Sequence, residues 1–357
     1  MWIVLIIIII VALITTISVV VLKTKKMNSE DTSTTGETTE KMETTTEQLP
    51  PPFIVNSNTT WKQDASTVAG GHGKGNGANQ LDEPVSVYVD DDNENLYISD
   101  YNNHRVVRWG FNGTIGDVVA GGNGIGNRID QLRNPSDAIL DKKDSSLIIC
   151  DFKNDRVVKW FRQGDITLQQ IRIPQIRCWS LAMDNNGDLY VSDMIKDEVS
   201  RWKEGETSGI KVAGKSRNAD LTNQIRNFAY IFVDEYYSVY VADAVNGEAM
   251  EWKKDAKNGT IVARGHINEM KPNSPPRLSG VIVDCMGNIY VSDAMTCQII
   301  RWLPGAKFNS TIAGGQGCGN GTKQFHIPND LSFDRQGNLY VVDTLNHRVQ
   351  KLAVELD

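Results

Sequence analysis

The sequence is poor in the residues that build zinc sites. Its 357 residues include five cysteines and five histidines, with no C-x-x-C pair and no His-x-His. A RING-type zinc module, and with it intrinsic ubiquitin-ligase activity, is therefore excluded. Basic residues are outnumbered, 37 Lys+Arg against 44 Asp+Glu, for a net charge of −7. With no basic surplus to neutralise phosphates, nucleic acid is not an expected partner. Amphipathic helical periodicity of useful length is missing from the region past residue 60. What is present is an ordinary globular balance, 40% apolar and 23% charged.

One long hydrophobic run stands at the N-terminus. Residues 2–22, from Trp2 to Leu22, carry no charge, and at 1.5 Å per residue they would reach about 31 Å, the thickness of a bilayer core. The run exceeds the apolar stretch of about 7–15 residues usual in a cleavable signal peptide, and no A-x-A site follows, so a transmembrane anchor is expected. The topology signals conflict. Lys23, Lys25 and Lys26 follow the span, which by the positive-inside rule favours a cytosolic C-terminal part. Residues 28–46 have Ser or Thr at ten of nineteen positions and lead into Pro50-Pro51-Pro52. That composition cannot form a core and is similar to a glycosylated extracellular stalk. Asn-x-Ser/Thr sequons at Asn58, Asn112, Asn258, Asn309 and Asn320 point the same way. The expected organisation is an anchor over 1–22, a Thr/Ser-rich disordered stalk over 23–60, and one domain over 61–357. The domain is expected on the exterior or lumenal side, because long domains translocate against local charge.

The domain is periodic. "LYISDYNNHRVVRW" ends at Trp109, and related stretches end at Trp160, Trp202, Trp252, Trp302 and Leu352. Their pivotal acids, Asp100, Asp151, Asp193, Asp243, Asp293 and Asp343, are spaced by 51, 42, 50, 50 and 50 residues. Each unit adds an upstream apolar run ending in Asp (Asp90, Asp141, Asp184, Asp234, Asp284, Asp334) and a downstream strand such as "DVVAGG" or "STIAGG". Strand, turn, strand, turn, strand, turn, strand, repeated six times, describes an all-β, six-bladed propeller of four-stranded antiparallel blades. The last unit ends in "VQKLAVELD" without a fourth strand, while "STVAGG" (66–71) stands alone before the first. The N-terminal strand should complete the sixth blade and hide two exposed edges. The tryptophans at the end of each third strand should pack between blades, and the pivotal Asp should cap the following turn through backbone N–H groups.

These units resemble NHL repeats. Asn103-His104-Arg105 and Asn346-His347-Arg348 stand where the family has Asn-His-Leu, and D-x-x-G-x-[LI]-Y-V-x-D fits 184–193, 284–293 and 334–343. The second unit departs by lacking the Gly-rich loop, and the fourth carries Gly247-Glu248 in place of His-Arg. The resemblance implies a membrane-anchored NHL repeat-containing propeller. Its relatives include a zinc-dependent amidating lyase, calcium-dependent lactonases of six-bladed shape, and the recognition domains of ubiquitin ligases and RNA-binding regulators.

Few constellations support chemistry. "GGHGKGNG" (70–77), "GGNGIGN" (121–127) and "GGQGCGNG" (314–321) are each followed by a strand, not the helix that a phosphate cradle needs. Setting aside the repeat positions His104 and His347, the remaining histidines, His72, His266 and His326, fall in different inter-blade loops. Lactonase metals would map to the ring four residues before each inner-strand Asp: Ser86, Asp137, Ser180, Tyr230, Gly280 and Asp330. Asp137 and Asp330 are the weak metal candidates there, against the roughly six oxygen ligands a hard cation wants. Catalytic residues and cofactors are not expected.

In a propeller the second-to-third-strand turns and the inter-blade loops share one face. That placement brings Cys150 toward Cys178 and Cys297 toward Cys318, leaving Cys285 unpaired on the other face. Asn112, Asn258 and Asn309 fall in third-to-fourth-strand turns, so glycans would shield that other face. The open face would then present Asn102, Arg105, Asn154, Arg156, Asn346 and Arg348 as partner-binding candidates. The function expected is non-enzymatic recognition of a protein or other extracellular ligand, with the membrane engaged through the N-terminal helix. A metal-assisted extracellular propeller enzyme and a cytosolic scaffold are the competing readings.

Overall fold

The computed structural model describes residues 58–161, 168–214, 228–265 and 276–355. The expected anchor with Trp2 and Leu22, nearly all of the stalk, and His266 lie outside these residues. Among the described residues no helix is long and apolar enough to cross a membrane.

Six four-stranded antiparallel sheets form the blades. Blade one holds β2 (Pro84–Asp90), β3 (Asn95–Asp100), β4 (Arg105–Gly110) and β5 (Gly116–Gly121). Blade two holds β6 (Pro135–Asp141), β7 (Ser146–Asp151), β8 (Arg156–Trp160) and β9 (Gln170–Pro174). Blade three comprises β10 (Cys178–Met183) to β13 (Ile210–Gly214), and blade four β14 (Phe228–Val233) to β17 (Thr260–Arg264). Blade five comprises β18 (Leu278–Val283) to β21 (Ser310–Ala313). Blade six is β22 (Pro328–Phe333), β23 (Leu339–Asp343) and β24 (Arg348–Leu352), completed on its outside by β1 (Ser66–Gly70). The inner strands pack in sequence around the axis, and β22 meets β2 to close the ring. The short 42-residue interval has its expected cause: β9 runs into β10 across three residues, with no Gly-rich loop of the kind found at 70–77, 121–127 and 314–321.

Second strands such as Leu189–Asp193 and Leu339–Asp343 are buried at every position, because each lies between two neighbouring blades. Outer strands such as Thr260–Arg264 are mostly exposed, with one buried position, Ala263. The core is consequently a set of inter-blade seams. Trp109 packs with Val87 and Leu96 of its own blade and Tyr340 and Val342 of blade six. Trp160 and Trp252 occupy equivalent buried seams, whereas Trp202 and Trp302 are half-buried.

The D-x-x-G-x-L-Y motif has a direct physical reading. Asp184 Oδ1 accepts the N–H groups of Asn186 (2.9 Å) and Asp188 (3.0 Å), and the Tyr190 hydroxyl donates to Oδ2 at 3.2 Å. Asp284 with Tyr290 and Asp334 with Tyr340 repeat this arrangement. The turn needs a left-handed residue, supplied by Gly187, Gly287 and Gly337 with φ of 83°, 78° and 79°. Blade four uses Tyr237 instead, at φ 65°.

Both expected disulfides are present. Cys150 and Cys178 join blades two and three with α-carbons 5.3 Å apart, and Cys297 and Cys318 are joined at 5.2 Å. Cys285 is free and exposed.

Candidate functional site

We term the face with inter-blade loops and second-to-third-strand turns the upper face, and its opposite the lower face. The arginines expected on the upper face are turned inward. Arg105, Arg156 and Arg348 are only 8%, 7% and 8% exposed. Arg156 Nε donates to Asp151 Oδ2 at 2.7 Å, and its other nitrogens donate to the carbonyls of Asn127, Arg128 and Gln131. Arg105 bonds Asp100 and the carbonyls of Asn76, Gly77 and Gln80, and Arg348 bonds Asp343, Gly321 and Gln324. Each arginine thus gathers the carbonyls of the preceding Gly-rich loop, which explains those loops without any anion. Asn154 and Asn346 join the same clasps through Gly126 O and Gly319 O. In blade one the equivalent residue is Asn103, which bonds Gly75 O, while Asn102 bonds Asp82. These arginines therefore do not form an exposed basic patch, because the loop carbonyls and a buried carboxylate consume their donors.

The pivotal Asp consequently has two roles. In blades three, four and five it caps the following turn, as Asp193 does for Ile195 N at 2.9 Å. In blades one, two and six it instead accepts a backbone N–H from the preceding inter-blade loop (Asp82, Arg133, His326) together with the arginine. His104 and His347 complete these joints, their Nδ1 atoms accepting the N–H of Asn134 and of Glu83 in the next blade, both at 3.1 Å.

The six ring residues sit where the inner strands begin, and strand pairing shifts register at that point in every blade. Such an irregularity leaves backbone donors without ladder partners. Ring side chains supply them across blades: Asp330 Oδ2 accepts Val87 N (3.0 Å), Asp137 Oδ2 accepts Leu181 N (2.7 Å), and Ser180 Oγ accepts Ile231 N (3.3 Å). Gly280 has no such side chain because a Cβ there would lie 2.5 Å from Asn329 O. Tyr230 crosses the axis from blade four, donating its hydroxyl to Val85 O of blade one at 2.7 Å, with Ser136 O of blade two at 3.3 Å. It closes the channel at its upper end. Trp179 packs on Tyr230 at 6.3 Å between ring centroids, and Phe152 and Tyr101 extend the cluster toward the upper face. This aromatic group escaped the sequence reading, although Tyr101 and Phe152 both directly follow a pivotal Asp.

Below Tyr230 lies a cavity of about 1190 Å³ whose inner end is lined by Asp137, Asp330 and Ser180. Burial pushes the Asp137 carboxyl up to about 6. Burial, and then the Asp137 charge, drive Asp330 well above the usual carboxylate range. Unfolded, both would titrate near about 4, so the native state binds more protons above that value. Stability contributed by the pair is fully present below about pH 4 and is lost as pH rises through the folded pKa values. The melting temperature is expected to fall between pH 5 and 7.5, and Asp330→Asn to flatten that fall. An unchanged slope in calorimetry would contradict this electrostatic picture.

A divalent metal does not fit the ring. It offers two carboxylates, each already accepting backbone N–H groups, and the phenol between them is committed to carbonyls. Among the described residues no three His, Cys, Asp or Glu come together as ligands. His72 Nδ1 lies 3.0 Å from Gly70 O, and His326 is exposed in another loop.

Residues 84–318 match the family described as SMP-30/Gluconolactonase/LRE-like region, and residues 325–352 match the NHL repeat. No curated protein sequence matches the chain. Among solved structures, a protein of unknown function from Bacteroides thetaiotaomicron shares 15% identity, with TM-score 0.61 over 82% of this chain and 76% of that one. An auxiliary nutrient binding protein from Bacteroides ovatus shares 15%, with TM-score 0.58 over 86% and 76%. A streptogramin B lyase shares 11%, with TM-score 0.51 over 78% and 96%. Identities this low show the fold alone.

Proposed function

Since the chain belongs to the SMP-30/gluconolactonase/LRE-like family and carries an NHL repeat, we propose that it is a propeller of that family given over to recognition. Its upper face docks a protein partner, and catalysis is absent. The observation carrying this reading is the closure of the channel by Tyr230 beneath the aromatic cluster. A substrate arriving from the upper face meets Trp179, Tyr101 and Phe152, not an open ring of ligands or nucleophiles. The half-buried Trp179 and Tyr101, seated on buried Phe152 and flanked by exposed aliphatics, suit a protein interface. Ile195 and Val245, 63% and 46% exposed in the adjoining second-to-third-strand turns of blades three and four, supply such a flank.

Trp61 Nε1 donates to Gly337 O in a lower-face turn, so the chain enters the propeller from below. Exposed Asn112 and Asn258 and half-buried Asn309 also lie below, while exposed Asn320 lies in an upper loop. Two disulfides favour an oxidising compartment.

The test uses the full chain at the surface of cells, with crosslinked partners compared between variants. Trp179→Ala combined with Ile195→Asp should reduce a specific partner's recovery by about tenfold, the effect of losing one interface anchor. Tyr236→Asp on the lower face should leave it unchanged. Equal recovery from both variants would defeat the docking assignment. Stoichiometric zinc or calcium together with lactone-opening or lyase turnover would defeat the non-enzymatic one.

A further inference from the structure

We propose that the propeller lumen is a blind pocket for an aliphatic primary amine, entered from the lower face, with the ammonium group seated against Asp137 and Asp330. This site is separate from the upper-face docking surface and does not depend on it.

Three features converge. The lumen is closed above, because Tyr230 spans it to Val85 O and Ser136 O. Along the inner strands its wall is apolar: Val87, Ile139, Leu181, Ile231, Val281 and Leu331 line it, one from each strand, while charged residues line the mouth. Its inner end is acidic and lacks a cation. Asp137 and Asp330 are 5% and 9% exposed, and among the described residues neither forms an ion pair, unlike the buried Asp100, Asp151 and Asp343 with their arginines. Beside Asp137, the fully buried Ser86 hydroxyl lacks a well-formed hydrogen-bond partner.

Buried carboxylates without a counter-charge are costly, and the cost falls when a cation joins them. A metal is poorly served by the two carboxylates. An ammonium needs fewer acceptors, and each carboxylate has about four lone-pair sites. Asp330 uses two of these, for Val87 N and Leu331 N, so acceptor capacity remains. An alkyl chain behind the ammonium would lie along the aliphatic wall, where a polyol or an amino acid would leave polar groups unpaired. The groups facing the pair are Ser86 from β2, Ser180 from β10 and Tyr230 from β14, with only Gly280 from β18. None is cationic. The cations lining the outer cavity are engaged elsewhere: Lys159 with Asp141 and Asp144, Lys142 with Asp92, Lys143 with Glu204, and Arg172 with Lys203 O.

Binding should therefore expel the proton that the pair otherwise holds, and the amine, with a pKa near about 10.5 like that of lysine, stays charged throughout. Affinity is expected to rise with pH as the carboxyls ionise.

The experiment is calorimetric titration of the full-length chain with octylamine, against octanol and octanoate, at pH 5.5 and 7.5. Octylamine should bind, about tenfold or more tightly at the higher pH, and octanoate should not bind. Asp330→Asn should weaken octylamine by about tenfold and reduce the pH dependence, Asp137 alone remaining to titrate. Met183→Trp, which narrows the lumen below the carboxylates, should abolish binding without altering them. Met183 is half-buried at the end of β10, so this variant tests the pocket even where the Asp330 substitution perturbs folding. Octanol binding as tightly as octylamine, no octylamine binding, or octylamine binding that survives Met183→Trp would each overturn the proposal.

Discussion

Deleting residues 61–72 is expected to abolish cooperative unfolding of the propeller. The deletion removes β1, which pairs with β24 from Ser66↔Lys351 to Gly70↔Arg348 and forms the outer edge of blade six. It also removes Trp61, 2% exposed against Tyr290 and Phe333. Loss of a buried Trp alone costs about 3–5 kcal/mol, against a total domain stability of about 5–15 kcal/mol. The bridge Trp61↔Val354 and the bond from Lys62 N to Ala353 O vanish as well, exposing the edge of β24. Deleting 28–52 should leave the melting temperature unchanged. A sharp, unshifted transition after the first deletion would show that the ring does not depend on this strand.

The second large effect concerns the buried arginines. Arg105→Glu combined with Arg156→Glu is expected to lower the melting temperature steeply, because each change leaves a buried carboxylate facing another. Breaking one buried pair costs about 3–5 kcal/mol. Arg264→Glu is the control: Arg264 is 61% exposed in its pair with Glu248, and such a surface pair is worth about 0–1 kcal/mol. If the double variant melts with the wild type, the clasps carry no stability, and the arginines return as candidates for partner contact.

The six clasp and cap positions also mark the boundary of what could be read from the sequence. The repeat spacing determined the blade number, the four-strand unit, the closing strand and the two disulfides, because these follow from period-two burial and from which turns share a face. The sequence also located the ring residues. It did not reveal that Tyr230 reaches partners 145 and 94 residues away and closes the channel, or that Arg156 turns toward carbonyls 25 to 29 residues upstream. Exposed turns rich in Asn and Arg have the same composition whether they face solvent or fold back onto a loop. Likewise, Asn102 and Asn103 are adjacent in sequence, and only the backbone path of the short turn selects Asn103 as the counterpart of Asn154. Periodicity determined the scaffold because each repeat obeys the same local pattern. Tertiary structure decided the site because its contacts join different repeats, and there the residue at each blade's shared position is the one free to differ.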